Sequence, residues 1–153
     1  MKLVSRARYA VQMMVELAEG QSADATSLAH VAGKTNISRR YLEQLALALK
    51  HAGLVRAVRG MRGGYHLARP AEEIRLGEVI EAAIGPINIV DCVCQPDLCV
   101  KSEQCGSRKV YSLINEKITG VLSEVTLAEL AQKSALDKSQ GIPKGDSLGC
   151  PAT

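Results

Sequence analysis

A mainly α-helical fold carrying one small β-hairpin is predicted for the chain, and three observations predict it. Apolar residues recur at three- and four-residue spacing in several separate stretches, the period of amphipathic helices. A Gly- and Arg-rich segment, Gly53 to Ala68, holds two short β-prone runs around a turn. The composition is 46% apolar with no Phe or Trp, so a core must be assembled from Leu, Ile, Val, Ala and Met, as helix packing allows. A length of 153 residues suits one or two small packed units.

Taken in order, the first helix spans Ser5 to Glu19, where Tyr9, Met13, Leu17 and Ala10, Met14, Ala18 share a face and Gly20 ends it. A second, short helix is expected from an N-cap at Thr26 through Leu28, Ala29 and Val31 to a stop at Gly33. Asn36-Ile37-Ser38 caps a third helix whose inward stripe is Leu42, Leu45 and Leu49, with Gly53 as its stop. Two helices joined by a tight turn, the second bearing Arg39, Arg40, Glu43 and Gln44 near its start, form an arrangement that sets side chains against base edges in a major groove. The hairpin adds Arg56, Arg59 and Arg62, and Gly60, Gly63 and Gly64 would let backbone N–H groups approach a phosphate.

Charge divides the same way. Residues 1–75 hold twelve Lys or Arg against six Asp or Glu, whereas residues 76–153 hold seven against ten. The front half is thus suited to a polyanion and the rear half to another task, although a basic face can also be merely solvated. The absence of Phe and Trp argues against stacking of unpaired bases. No stretch approaches the ~20 apolar residues of a membrane span, and Arg6 and Arg8 interrupt any signal-peptide core, so a cytoplasmic protein is expected. No Ser-His-Asp order, phosphate-binding Gly loop or pair of catalytic carboxylates can be assembled, which argues against an enzyme.

Four of the five cysteines, Cys92, Cys94, Cys99 and Cys105, fall within fourteen residues of a polar segment containing Pro and Gly. In a reducing compartment such thiols are soft metal ligands or redox groups rather than a disulfide framework. Iron-sulfur and zinc centres both accept such a set, and the spacing alone leaves the two open. His30, His51 and His66 lie outside this segment, and Cys150 stands alone in a tail rich in turn-forming residues. Beyond the cysteines, Val110, Leu113, Ile114, Ile118, Val121 and Leu122 keep helical spacing in a long helix with a broad apolar stripe. Thr126-Leu-Ala-Glu129 reads as a capping box opening a last short helix.

The ordered combination resembles the family of winged helix-turn-helix regulators typified by IscR, NsrR and CymR. The resemblance is carried by Met1-Lys-Leu-Val-Ser-Arg-Ala-Arg-Tyr-Ala10, Ser38-Arg-Arg-Tyr-Leu-Glu-Gln-Leu45, Gly53-Leu-Val, Arg59-Gly60, Gly63-Gly-Tyr-His-Leu-Ala-Arg-Pro70 and Leu76-Gly-Glu-Val-Ile80. It extends to about Gln132. It implies a winged helix-turn-helix domain over 1–86, a cysteine cluster-binding loop over 87–106, and a dimerisation helix and final short helix over 107–133; the remainder, 134–153, ends in turn and breaker residues and is expected to be a disordered tail. It also implies a homodimer on a double-stranded, two-half-site operator, contacted by Ser38, Arg39, Arg40, Tyr41, Glu43 and Gln44 and by Arg59 of the wing. Glu43 stands apart, because a carboxylate repels phosphate; it either accepts from a cytosine amino group or pairs with Arg39 or Arg40 along the helix.

The resemblance further implies an iron-sulfur cluster on Cys92, Cys99 and Cys105, the two-iron form ahead of the four-iron form. Cluster-binding relatives have a His three residues after the last cysteine, where this chain has Arg108. The fourth ligand is therefore open, with Cys94, a partner residue or a non-protein group as candidates. Cluster assembly, oxidation, loss or reaction with nitric oxide would then alter repression or activation, while structural zinc and a metal-free thiol switch stand as the alternatives.

Overall fold

The computed structural model describes residues 5–20, 25–95, 97 and 104–140. Helix α1, Ser5–Glu19, is the hub of the fold: Ala7, Ala10, Met13, Met14, Val15 and Leu17 are all buried. It packs against α4 (Leu76–Ile84) and α7 (Leu127–Gln140) and also touches α2 (Leu28–Thr35) and α3 (Arg39–His51). Two small alanines at full burial let neighbouring helices approach closely, and the two methionines fill the irregular space a core without Phe or Trp leaves.

The cap of α2 is Ser27, whose hydroxyl accepts from the His30 backbone N–H at 3.2 Å, and not Thr26 as the sequence suggests. Thr26 is committed elsewhere: its backbone exchanges two hydrogen bonds with Tyr65, at 3.1 and 2.9 Å. Nor does Gly33 end this helix. It continues to Thr35, and Asn36 in the left-handed region, φ 56°, closes it by donating its N–H to the Ala32 carbonyl. Helix α3 begins as expected, with Ser38 accepting from the Tyr41 N–H at 3.4 Å and Leu42, Leu45, Ala46 and Leu49 buried.

Strands β1 (Val55–Val58) and β2 (Gly64–Leu67) pair antiparallel, Val55 opposite Leu67 and Val58 opposite Gly64. The glycines of this hairpin serve its own packing. A Cβ on Gly64 would collide with the Thr26 carbonyl oxygen, and one on Gly63 would lie 2.5 Å from the Val58 oxygen. The Cβ positions at Gly63 and Gly64 are thus taken up by the hairpin's own backbone and by Thr26.

After a single 3₁₀ turn at Ala71–Glu73, α4 buries Val79, Ile80 and Ala83. A four-residue helix α5, Asp91–Cys94, precedes the long α6, Gly106–Glu124, about 28 Å in length at 1.5 Å per residue. The chain then pairs with the start of α4 through Leu76 N–H to the Val125 oxygen and Leu127 N–H to the Ile74 oxygen, which returns α7 to the core beside α1. The capping box is formed: the Thr126 N–H donates to Glu129 Oε2 at 3.1 Å, and the Glu129 N–H to Thr126 Oγ1 at 3.2 Å. The last helix is not short, however, and extends to Gln140 into the stretch expected to be a disordered tail. Residues 141–153, with Cys150, lie outside the described residues.

Candidate nucleic-acid interface and cysteine centre

Cap geometry decides what the start of α3 offers. Ser38 holds the first turn, and Arg39, Arg40, Glu43 and Gln44 follow as exposed side chains on its outer surface. Arg39 Nε donates to Glu43 Oε1 at 3.1 Å, so the helix pair expected for Glu43 is made. Tyr41 is half-buried and meets Tyr9 edge to face, with ring centroids 5.7 Å apart at 88°. Arg8 in turn lies 5.0 Å above the Tyr9 ring and donates to its hydroxyl at 3.3 Å. A column Arg8, Tyr9, Tyr41 thus joins the start of α1 to the start of α3. The sequence carries no local signal for this contact, because Tyr41 lies 32 residues beyond Tyr9 on another helix.

Between α3 and the hairpin runs an open groove of about 420 Å³, lined by Arg39 and Glu43 on one wall and Val58, Gly63 and Tyr65 on the other, with Ser27 at the α2 start. Arg56, Arg59 and Arg62 are exposed on the hairpin. Exposed arginines thus stand on both the start of α3 and the hairpin, the two elements that meet across this groove. All seven residues expected to contact DNA belong to those two elements, Arg59 on the hairpin tip and the other six in the cap and first two turns of α3.

The cysteine segment lies at the opposite end of the chain's logic, against α6. Cys92 and Cys94 stand on α5, two residues apart and unlike in setting: Cys92 is half-buried, while Cys94 is exposed and donates its thiol to Asn88 Oδ1. Cys105 is half-buried at the cap position of α6. All three are free thiols. Cys99 lies outside the described residues, and among the described residues no three His, Cys, Asp or Glu side chains are grouped as a metal site.

Two ties hold this segment to α6. Arg108 Nε donates to the Cys92 carbonyl at 3.0 Å, and the Ile89 N–H donates to Oδ1 of Asn115 at 3.2 Å. Asn115 is itself buried. On the same helix Val110, Leu113, Ile114 and Val121 are exposed, and Leu113, Ile114, Ile118, Val121 and Leu122 line an apolar groove of about 500 Å³. No helix among the described residues is long and apolar enough to cross a membrane.

The model of the Rrf2 family, described as iron-dependent transcriptional regulators, matches residues 3–133. The chain belongs to the Rrf2 family. Within that family it is similar to the HTH-type transcriptional regulator CymR of Bacillus subtilis, 35% identical over 131 residues, 86% of this chain and 90% of that protein. It is similar also to the HTH-type transcriptional regulator IscR of Escherichia coli, 36% identical over 140 residues, covering 91% and 86%. Among solved structures, CymR, the global cysteine regulator of B. subtilis, superposes with a TM-score of 0.75 at 34% identity over 87% of this chain and 98% of that one. The IscR of T. potens gives 0.71 at 30% identity over 95% and 94%. Like other Rrf2 proteins this one is a DNA-binding transcriptional regulator and not an enzyme, built as a helical domain with a hairpin wing.

Proposed function

We propose that this Rrf2 protein binds a two-half-site operator as a homodimer and that its grip is set by an iron-sulfur cluster on Cys92, Cys99 and Cys105, with Cys94 as the fourth donor. One observation supports this reading above the rest: two half-buried thiols, Cys92 and Cys105, flank the first turn of α6, and Arg108 of that turn is bonded to Cys92. Soft sulfur donors on packed elements suit iron-sulfur chemistry, and their free state suits a reducing, cytoplasmic setting. When bound, a cluster supplies a centre sensitive to oxidation and nitric oxide.

The protein's own part is transmission. The exposed apolar face of α6 is the surface a second copy would cover, since two such helices bury their stripes against each other. Whatever orders the cysteine segment also holds Arg108 and Asn115, and through them the pitch of α6 against its mate. Operator affinity changes only as far as the loaded and empty states favour different arrangements of the two α3 helices. In that complex Ser38, Arg39, Arg40, Tyr41, Glu43 and Gln44 meet base edges and phosphates, and Arg59 follows on the wing.

Two departures favour structural zinc or a metal-free thiol switch as the second reading. Cys94 is bonded to Asn88, and Arg108 stands where the resemblance calls for His. Anaerobic purification with iron, sulfide and zinc analysis separates the readings. The cluster reading expects coloured protein with iron and sulfide, which Cys92→Ala or Cys105→Ala abolishes, and an operator affinity that differs between loaded and stripped protein at one salt concentration. Colourless protein with zinc, or thiols without metal, supports the second reading; equal affinities remove the sensing role.

A further inference from the structure

We propose that Met61 is an apolar wedge that enters the operator's minor groove and partly unstacks one base step in each half-site. The inference rests on the reading that α3 and the wing meet duplex DNA. Met61 stands at the wing tip with a relative exposure of 106%, the highest of any large apolar side chain among the described residues. It touches no core, so the fold does not explain it.

The turn that carries it is fixed. Gly60 has φ 119°, a region L side chains avoid, and the Gly63 N–H donates to the Gly60 carbonyl at 2.9 Å. A Cβ at Gly63 would lie 2.5 Å from the Val58 oxygen and 2.8 Å from the Gly60 oxygen. Here the glycines specify one turn, and its apex holds a thioether side chain between two exposed arginines, Arg59 and Arg62.

That triplet has a chemical counterpart in the minor groove. Its sugar walls are largely apolar although the base edges on its floor are polar, its width is sequence-dependent, and its negative potential attracts Arg. Apolar side chains including Met insert between base steps there, most easily at flexible pyrimidine–purine steps. A groove lined by Arg39 and Glu43 separates the start of α3 from the hairpin, so with α3 in a major groove the hairpin tip would reach across a phosphate strand toward the adjacent minor groove. Arg59 and Arg62 would neutralise the two phosphate rims while Met61 occupies the centre. Met61 would thereby contribute sequence preference by deformability, at a position where no base edge is read.

The test uses the full chain and an operator duplex that the chain itself selects from a random-sequence pool. 2-Aminopurine is placed in turn at each position flanking the half-sites. Wild type is expected to brighten the probe at one step per half-site. Met61→Ala and Met61→Gln should lose that signal and bind about tenfold more weakly, with the salt dependence of binding unchanged because no phosphate contact is removed. Met61→Leu should keep both signal and affinity. The proposal is overturned if wild type binds its operator without brightening any position, if Met61→Ala matches wild type, or if Met61→Leu fails as badly as Met61→Gln. A wild type that selects no sequence at all would instead overturn the operator-binding reading beneath it.

Discussion

Arg108 Nε donates to the Cys92 carbonyl over 3.0 Å, tying the first turn of α6 to α5. A single hydrogen bond of this kind contributes about 1 kcal/mol, small against the whole fold but large for a four-residue helix with no buried residue of its own. Arg108→Ala should therefore raise amide exchange at residues 92–95 by roughly tenfold or less, the change that about 1 kcal/mol supplies. Protection elsewhere in α6 should hold. Unchanged protection at 92–95 would mean that the tie carries nothing between the cysteines and the long helix.

Asn115 supplies the second tie and carries a heavier cost, because it is buried and receives the Ile89 N–H. Asn115→Leu keeps similar volume but leaves that N–H without its acceptor. Loss of about 2 kcal/mol is expected, read as a fall of several degrees in Tm. A fall in Tm with little change in the denaturant m-value is the expected pattern; an unchanged Tm would show that water replaces the amide without cost.

The sequence discloses elements whose signals are local, and the residues show why. Leu42, Leu45 and Leu49 are spaced to one face and all are buried; Thr126 and Glu129 are three apart and bond each other as a capping box. Thr26 and Ser27 are equally good caps by chemistry, and only the pairing of Thr26 with Tyr65, thirty-nine residues away, decides between them. Of α7 only the start is legible, where Leu127, Leu130 and Ala131 pack against the core; its run on to Gln140 adds no residue to that core among the described residues and so has no apolar signature. For the candidate site, residue types and order pointed to α3, the wing and the cysteines, while Arg8 and Tyr9 behind Tyr41 became visible only in three dimensions.

Glu78 links stability to pH. Burial pushes its carboxyl upward, but the Arg75 backbone N–H at 3.0 Å and the Arg69 guanidinium at 2.6 Å outweigh this and leave it below its ordinary value. A carboxyl held lower in the folded than in the unfolded chain stabilises above the unfolded value, about 4.3, and loses that contribution as pH falls through the folded one. With 40% of the side chain exposed, screening keeps the effect below about 1 kcal/mol. Glu78→Gln should lower Tm slightly at pH 7, and the gap to wild type should close on acidification below about pH 4. A gap that widens there would reverse the assignment.

The apolar face of α6 predicts how the protein assembles. Val121 is 59% exposed in the isolated chain, and an apolar face of this kind marks an interaction surface, the one proposed above for a second copy. Val121→Glu should shift sedimentation from dimer to monomer and weaken operator binding by at least tenfold, because a two-half-site complex relies on both copies being joined. Secondary structure by circular dichroism should be retained, as Val121 belongs to no buried cluster of the single chain. Wild type sedimenting as a monomer at micromolar concentration would rule out this use of the face.

Glu43 is the position on α3 at which the proposed DNA contact is tested most sharply. Its partner Arg39 is 69% exposed and Glu43 itself 53%, and a surface pair four apart on a helix contributes no more than about 0.5 kcal/mol. Fold stability therefore does not account for a carboxylate among the α3 residues proposed to meet DNA. In that proposed role its repulsion would weaken every duplex, and only a duplex presenting a donor, such as a cytosine amino group, would offset the loss. Glu43→Gln should leave Tm nearly unchanged, strengthen binding to random duplex severalfold, and reduce the ratio of specific to random binding about tenfold at fixed salt. Competition binding at one salt concentration measures that ratio. If the ratio held while Tm fell, Glu43 would be a helix-stabilising partner of Arg39 and no reader of sequence.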